Sequence, residues 1–169
     1  DAWARLDGQP LWRWLGGAGE SPALVTDMTI PILAPARMVE LARQWWGLGF
    51  RAFKLKVGKS IDADVAVLRA IVEAVPGATF RPDGNAGLTV AEALRYLDAA
   101  KALGATLECF EQPCRSVEEL AQVEARSEVP VLADESVKTL ADVAALEGVG
   151  GVNLKIAKSG GIIEALQMG

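Results

Sequence analysis

Charged residues close five successive apolar runs of the sequence, and their types suit chemistry at a metal ion. Lysines flank this series and acids fill its middle, in the order Lys54, Lys56, Asp83, Glu111, Asp134, Glu135, Lys155 and Lys158. Three carboxylates brought together repel one another unless a cation lies among them. Hard oxygen ligands suit Mg²⁺, and a lysine whose pKa is lowered by neighbouring charges can serve as a base. The series therefore predicts a magnesium site with lysine bases on either side.

The same residues also have purely structural explanations. Asp83 and Asp134 lie where a strand is followed by a helix, so each would serve as a helix N-cap. Lys54 and Lys56 would extend along a solvated strand face. Glu111 fits this explanation poorly, because a proline two residues later ends its strand. The same coincidence on five successive strands favours the functional interpretation.

Six short apolar or β-branched runs alternate with stretches of helical periodicity. The runs cover residues 23–30, 50–57, 78–83, 106–111, 129–134 and 151–156. Thr89 with Glu92, and Ser116 with Glu119, form capping-box patterns that predict helix starts between the runs. Strand–helix units repeated about every 25 residues predict a parallel sheet covered by helices.

Two architectures satisfy this pattern, an open doubly wound sheet and a (β/α) barrel. A doubly wound sheet that binds a dinucleotide carries a glycine-rich loop after its first strand, but residues 31–35 read PILAP. A barrel gathers the carboxyl ends of its strands at one rim, where active sites lie. The apolar neighbours of Lys54 and Lys56 would face the helices, so both lysines would point to the centre. We therefore predict an α/β fold, a partial TIM-type (β/α) barrel of about six βα units.

Composition excludes several classes of function. The 169 residues contain no histidine, which removes Ser-His and Cys-His catalysis and histidine metal sites from this chain. The formal net charge is −5 and no basic stripe occurs, so nucleic acid is not an expected partner. No run reaches the roughly 18 apolar residues of a membrane span, and no segment resembles a targeting peptide. Cys109 and Cys114 are expected to be reduced thiols rather than a disulfide, which indicates a cytoplasmic protein.

Five short motifs follow one another along the chain: FKLKVG at 53–58, PDGN at 82–85, FEQP at 110–113, LADES at 132–136 and NLKIAKSGG at 153–161. Their order and separations resemble the enolase superfamily, specifically its muconate-lactonizing-enzyme-like subgroup. The helical stretch at 1–17 resembles the segment that joins the family's N-terminal capping domain to its barrel. The resemblance implies that residues 1–22 are the tail and linker of a capping domain. Residues 23–169 would be a partial catalytic barrel whose further strands are missing.

The resemblance implies a metal centre and a pair of bases. Asp83, Glu111 and Asp134 resemble three Mg²⁺ ligands, with Mn²⁺ as an alternative ion. Lys56 and Lys155 resemble acid/base groups on opposite faces of the substrate. The expected partner is a small-molecule carboxylate substrate, and neither nucleic acid nor a membrane is expected.

Four further residues are implied to assist this centre. Lys54 would contact the substrate carboxylate and adjust the properties of the neighbouring base. Asn85, Glu135 and Lys158 would support the ligands and the lysines. The motif PDGN carries a glycine at position 84, where relatives commonly carry alanine. The family resemblance also implies a homo-oligomer.

The implied reaction starts with removal of an α-proton next to a carboxylate and passes through an enediolate. Reprotonation from the opposite face gives epimerisation, whereas loss of a β-group gives dehydration or reverse cycloisomerisation. The stretch VTDMTI at 25–30 resembles dipeptide epimerases, so epimerisation of a dipeptide such as L-Ala-D/L-Glu is the first hypothesis. The alternatives are a muconate-type cycloisomerase and an o-succinylbenzoate synthase with N-acylamino acid racemase activity, or a related dehydratase.

Two hypotheses come from other classes. A Schiff-base aldolase would use Lys56 or Lys155 as nucleophile and would not need three acids together. A catalytically silent barrel that serves as a binding module would not bind a metal ion.

Overall fold

Seven parallel strands form one curved sheet, which confirms the predicted partial TIM-type (β/α) barrel. The computed structural model describes residues 1–20 and 23–169, so the last two residues of the predicted tail and linker at 1–22 lie outside the described residues. The strands are β1 Asp27–Ile30, β2 Ala52–Lys56, β3 Thr79–Asp83, β4 Thr106–Leu107, β5 Phe110–Glu111, β6 Val131–Ala133 and β7 Gly151–Val152. Their order in the sheet is β1-β2-β3-β5-β6-β7, and β4 also pairs with β3. Chain order and spatial order therefore agree, as in a barrel.

Eight helices accompany the strands in the described part of the chain. They are α1 Ala2–Leu6, α2 Leu11–Trp14, α3 Pro35–Gly47, α4 Ile61–Ala74, α5 Val90–Ala102, α6 Val117–Glu124, α7 Leu140–Ala144 and α8 Ile162–Met168. Both predicted capping boxes are present, at Thr89 for α5 and Ser116 for α6. A third occurs at Thr139, where an aspartate takes the place of the usual glutamate. None of the helices described here is long and apolar enough to cross a membrane.

The fourth predicted strand, over 106–111, is interrupted by a bulge. Phe80 pairs with Leu107 and Asp83 pairs with Glu111. The stretch 107–111 is therefore one residue longer than the stretch 80–83 of β3 that it faces. The extra residue separates β4 from β5 and turns the chain locally, as β-bulges do. The strand predicted over 151–156 is also shorter, because pairing with β6 ends at Val152 and a turn follows.

Side-chain alternation on β2 sets the orientation of the predicted lysines. Phe53 and Leu55 are almost fully buried in the core between the sheet and the helices. Because successive side chains of a strand point to opposite faces, Lys54 and Lys56 lie on the concave face of the sheet. The ring of Phe53 packs against Phe80 on β3, with ring centroids 6.4 Å apart. The hydrophobic core thus fixes the strand that carries both lysines.

The two cysteines are free and buried. Burial raises the pKa of the Cys109 and Cys114 thiols to about 11, so both are protonated at neutral pH. A protonated thiol is a poor nucleophile and a poor metal ligand. Neither residue therefore suits nucleophilic catalysis, in agreement with a mechanism based on lysines and acids.

Asp64 closes the loop that follows β2. Its side chain is buried near the start of α4, and its Oδ2 accepts a hydrogen bond of 2.9 Å from the Gly58 amide. Burial raises the pKa of Asp64 above 3.8, although hydrogen bonds from the loop amides oppose this effect. Gly58 has a φ of 122°, a backbone conformation that residues other than glycine rarely adopt. The carboxylate and the glycine together define the path of the chain just beyond Lys56.

Replacing Asp64 with asparagine is expected to remove a pH-dependent loss of stability. The folded state binds the Asp64 proton more tightly than the unfolded state, so the free energy of unfolding falls as pH rises from about 4 through the folded-state pKa. Asparagine stays neutral and can still accept the Gly58 hydrogen bond. Urea unfolding across this range should therefore show the variant gaining stability relative to the wild type as pH rises. Asp62→Asn, with a side chain 88% exposed, is the matched control; equal pH slopes for Asp64→Asn and the wild type would refute the prediction.

Candidate active site

Three buried carboxylates lie at the carboxyl ends of adjacent strands. Asp83 ends β3, Glu111 ends β5 and Asp134 directly follows β6. Asp83 and Glu111 are paired residues in the sheet, so their side chains project side by side. The exposed fractions of the three residues are 0%, 5% and 1%. Neither Asp83 nor Asp134 caps a helix, because the N-caps of the following helices are Thr89 and Thr139. The capping explanation is therefore wrong for both acids.

Two lysines of β2 contact the first two carboxylates. Lys54 Nζ lies 2.6 Å from Glu111 Oε2 and 2.8 Å from Asp83 Oδ2. Lys56 Nζ lies 2.6 Å from the same Oδ2 atom of Asp83. The two ammonium groups share one carboxylate oxygen, so the strand does not present them to bulk solvent. The explanation as lysines on a solvated face is wrong.

Two further lysines contact Asp134 from the other end of the sheet. Lys155 Nζ forms an ion pair with Asp134 Oδ2 and Lys158 Nζ with Oδ1. Lys158 also donates a 2.6 Å hydrogen bond to the Asp134 carbonyl. Lys155 lies in the irregular segment between β7 and the turn at 156–160 and not within a strand, which corrects the predicted strand 151–156. Its side chain is about half exposed, at 48%.

Asn85 and Glu135 connect the two halves of this arrangement. Asn85 Oδ1 accepts a hydrogen bond of 2.7 Å from Lys56 Nζ, and its Nδ2 donates to Glu135 Oε1 at 2.9 Å. Its backbone amide donates to Asp83 Oδ1 at 2.9 Å. Asn85 adopts a left-handed conformation with a φ of 43°, which asparagine tolerates better than most residues. The structure thus brings all nine predicted site residues into one network.

Two polar residues of this network escape the sequence analysis. Asn153 Nδ2 donates a 2.7 Å hydrogen bond to Glu111 Oε1, and its carbonyl accepts one from Lys158. Gln112 is completely buried and hydrogen-bonds to the amide of Asp134. Both lie inside the recognised motifs FEQP and NLKIAKSGG, which is the signal that could have singled them out.

A separate ionic cluster lies one layer below the carboxylates on the concave face. Arg81 precedes Asp83 by two residues on β3 and is paired with Lys54 in the sheet. Its guanidinium contacts Glu108, in the bulge, and Asp27 on β1. These contacts connect β1, β3 and the bulge beneath the site. The cluster could not be predicted from the sequence, because only the bulge turns Glu108 toward Arg81.

Burial and the lysines act in opposite directions on the three acids. Burial alone raises the pKa of Asp83, but hydrogen bonds from Lys54 and Lys56 hold it below its usual value. Burial likewise opposes ionisation of Asp134, yet contacts with Lys155 and Lys158 lower its pKa to about 2. Glu111 differs: burial, together with the nearby charge of Asp83, raises its pKa despite the contact with Lys54. The lysine contacts therefore favour the ionised forms of Asp83 and Asp134, whereas the surroundings of Glu111 oppose its ionisation.

The donor set of the site fits Mg²⁺. Its carboxylate oxygens are hard ligands, they are buried, and they come from neighbouring strands. The Lys54 ammonium lies between oxygens of Asp83 and Glu111 and shows that this point accepts a cation. Among the described residues, no group of three acidic or thiol side chains lies close enough together to hold a metal ion. Lysine ammonium groups lie between the carboxylates instead. Binding of one ion by all three acids therefore stays a prediction and requires the lysines to move.

Comparisons with known proteins agree with this geometry. Residues 37–169 match the family described as "Enolase C-terminal domain-like". The chain is 37% identical, over 95% of its length and 40% of the relative, to an L-Ala-D/L-amino acid epimerase from Populus trichocarpa. It is 36% identical, over 92% of its length and 52% of the relative, to an o-succinylbenzoate synthase from Mycolicibacterium smegmatis.

Solved structures give the same assignment. A dipeptide epimerase from Enterococcus faecalis, in complex with Mg and the dipeptide L-Leu-L-Tyr, superposes with a TM-score of 0.89 at 34% identity. The superposition covers 99% of this chain and 48% of that protein, so the chain spans about half the length of such relatives. The family match, the motif order and the row of carboxylates at the strand ends agree with one another. The chain therefore belongs to the enolase superfamily, in its muconate-lactonizing-enzyme-like subgroup.

Proposed function

We propose that the protein containing this chain is a Mg²⁺-dependent isomerase that removes the α-proton of a carboxylate substrate. One observation carries the proposal. Lys56 at Asp83 and Lys155 at Asp134 lie at opposite ends of a row of three buried carboxylates. A substrate bound over the middle of this row would have an amine on either side.

Asp83, Glu111 and Asp134 would hold the ion. When bound there, Mg²⁺ supplies Lewis-acid stabilisation to the substrate carboxylate, without which a lysine could not remove so weakly acidic a proton. The structure supports this assignment through the burial of all three acids and their attraction for ammonium groups. Asn153 donates to Glu111 Oε1 and Lys54 donates to Oε2, so Oε2 would face the ion once the lysine moves.

Two lysines would carry the proton. In one direction the neutral amine of Lys56 takes the proton from the α-carbon, and the electron pair of the broken C–H bond moves into the carboxylate. The ammonium of Lys155 then gives a proton to the opposite face, so the configuration at the α-carbon is inverted. In the reverse direction the two lysines exchange roles. Asn85 accepts a hydrogen bond from Lys56 Nζ and would hold that amine in position.

A dipeptide is the proposed substrate, and epimerisation is the proposed reaction. Support comes from the epimerase of Populus trichocarpa and from the dipeptide complex of the Enterococcus faecalis protein. A second candidate, o-succinylbenzoate synthase chemistry, is favoured by the 36% identity to the Mycolicibacterium smegmatis protein. Both reactions begin with the same proton abstraction, so the residues of this chain do not distinguish between them.

Deuterium exchange separates these candidates. The full-length protein is incubated with Mg²⁺ in D₂O against a library of dipeptides and N-acylamino acids, and deuterium at the α-carbon is followed by NMR. We expect exchange and epimerisation of a dipeptide, and loss of both after treatment with EDTA. Formation of o-succinylbenzoate from its precursor would favour the second candidate. Exchange that survives EDTA, or covalent trapping of a substrate by borohydride, would contradict the proposal and favour the Schiff-base alternative.

A further inference from the structure

Gln112 makes four hydrogen bonds with its side-chain amide. Its Oε1 accepts from the backbone amide of Asp134 at 2.7 Å and from that of Ser136 at 3.3 Å. Its Nε2 donates to Ser136 Oγ at 2.7 Å and to the Cys114 carbonyl at 2.9 Å. The residue is completely buried. Every donor of this amide is used, and its oxygen accepts two bonds, so the side chain is held in a single orientation.

The main chain of Gln112 extends the same network to two further segments. Its amide donates a 2.7 Å hydrogen bond to the carbonyl of Leu132 on β6. Its carbonyl accepts a 2.8 Å hydrogen bond from Ala86, in the turn that follows Asp83 and β3. One residue therefore joins the turns after β3, β5 and β6.

The backbone of Gln112 is strained. Its φ is 31°, in the left-handed region, and Pro113 follows it. Such a conformation is unfavourable for a residue other than glycine and persists only where its surroundings enforce it. The four side-chain hydrogen bonds supply that enforcement. Strain of this kind is common where a structure must hold a side chain at one place.

We propose that Gln112 is a positioning residue that fixes Asp134 and Glu111 relative to each other and to the turn after Asp83. Gln112 does not contact the reacting groups itself, and it acts through the amide of Asp134 and the peptide bond that it shares with Glu111. The effect on metal binding rests on the proposed function, whereas the effect on the three turns does not.

Gln112→Glu tests the proposal with little change in shape. A carboxylate cannot donate to the Cys114 carbonyl and faces that oxygen with another, so we expect the side chain to turn away and release the amides of Asp134 and Ser136. Gln122→Glu makes the same chemical change at an exposed site on α6 and is the matched control. The full-length proteins are compared by calorimetric titration with Mg²⁺ and Mn²⁺ and by amide hydrogen exchange without metal.

We expect Gln112→Glu to lower metal affinity by about 10–100-fold, as the loss of an outer hydrogen-bonding partner typically does. Exchange of the Asp134 and Ser136 amides should accelerate at least tenfold, with Gln122→Glu unchanged in both measurements. A residue needed only for overall stability would lower the melting temperature and leave the metal affinity of the folded protein unchanged. An affinity loss below threefold in the folded variant would overturn the proposal.

The two measurements separate failure of this proposal from failure of the proposed function. If the wild type binds no Mg²⁺, the proposed function fails, yet faster exchange at Asp134 in the variant still supports the positioning role. An unchanged exchange rate of the Asp134 amide in the variant overturns the positioning role, whether or not Mg²⁺ affinity changes. Should Gln112→Glu not fold, Ser136→Ala removes only the hydroxyl that accepts from Nε2. It should accelerate exchange of the Asp134 amide, and no acceleration would overturn the proposal.

Discussion

Lys155→Met is expected to stop α-proton exchange from one epimer of the substrate while the other epimer continues to exchange. Each lysine would serve one face of the α-carbon, since Lys56 and Lys155 lie at opposite ends of the carboxylate row. Loss of a general base typically costs about 10²–10⁴-fold in rate. Epimerisation needs both lysines and should fall by the same factor in both directions. The measurement is α-proton exchange of each pure epimer in D₂O with the full-length protein and Mg²⁺.

Two variants control this experiment. Lys56→Met should show the mirror-image result, with exchange retained only by the epimer that Lys155 serves. Lys138→Met removes an exposed lysine near the start of α7 and should leave both exchange rates unchanged. Equal exchange of both epimers by Lys155→Met, at the wild-type rate, would show that the assignment of one lysine to each face is wrong.

Strand periodicity explains why the main elements of the site could be predicted from the sequence. Phe53 and Leu55 need a buried face, so a period of two leaves only the concave face for Lys54 and Lys56. Parallel pairing then brings the acids that end successive strands to one edge, as Asp83 and Glu111 show by being paired residues. Residue type, spacing and the parallel arrangement were sufficient for this part.

The bulge shows where that reasoning ends. With strict alternation over 106–111, Glu108 would face away from Glu111, toward the helices. The extra residue between Leu107 and Glu111 instead turns Glu108 to Arg81 on the concave face. A bulge depends on pairing with β3, which is distant in sequence, so no local pattern indicates it.

The contacts of Gln112 and the local structure at Lys155 were beyond prediction for a related reason. The amide partners of the Gln112 side chain at Asp134 and Ser136 lie 22 and 24 residues away along the chain. Lys155 lies in the irregular segment that follows the paired residues of β7 and precedes the turn at 156–160. Its amine still reaches Asp134, because a long side chain compensates for a shift in the backbone. The contact with Asp134 agrees with the predicted location of Lys155, its catalytic role stays a prediction, and the predicted strand at this position was wrong.

Asp83→Asn is expected to abolish metal binding and α-proton exchange and to destabilise the metal-free protein. The Oδ2 atom of Asp83 contacts both Lys54 and Lys56, so the variant leaves two ammonium groups without their shared anion. Removing one partner of a buried ion pair costs about 3–5 kcal/mol, and the partial exposure of both lysines reduces this to about 2 kcal/mol. Loss of an outer hydrogen-bonding partner typically lowers metal affinity by about 10–100-fold. Loss of the ligand Asp83 should lower Mg²⁺ affinity by more than this.

Calorimetric titration with Mg²⁺ and urea unfolding of the metal-free protein test the two effects separately. Asp98→Asn, at an exposed position on α5, is the matched control and should change neither. Unchanged Mg²⁺ affinity in Asp83→Asn would show that Asp83 is not a ligand, even if stability fell. Lower affinity with unchanged stability would instead show that solvent satisfies the ammonium groups of Lys54 and Lys56 once the carboxylate is gone. The structure predicts that both quantities fall, because the same buried oxygen that would bind the metal ion holds the two lysines when the ion is absent.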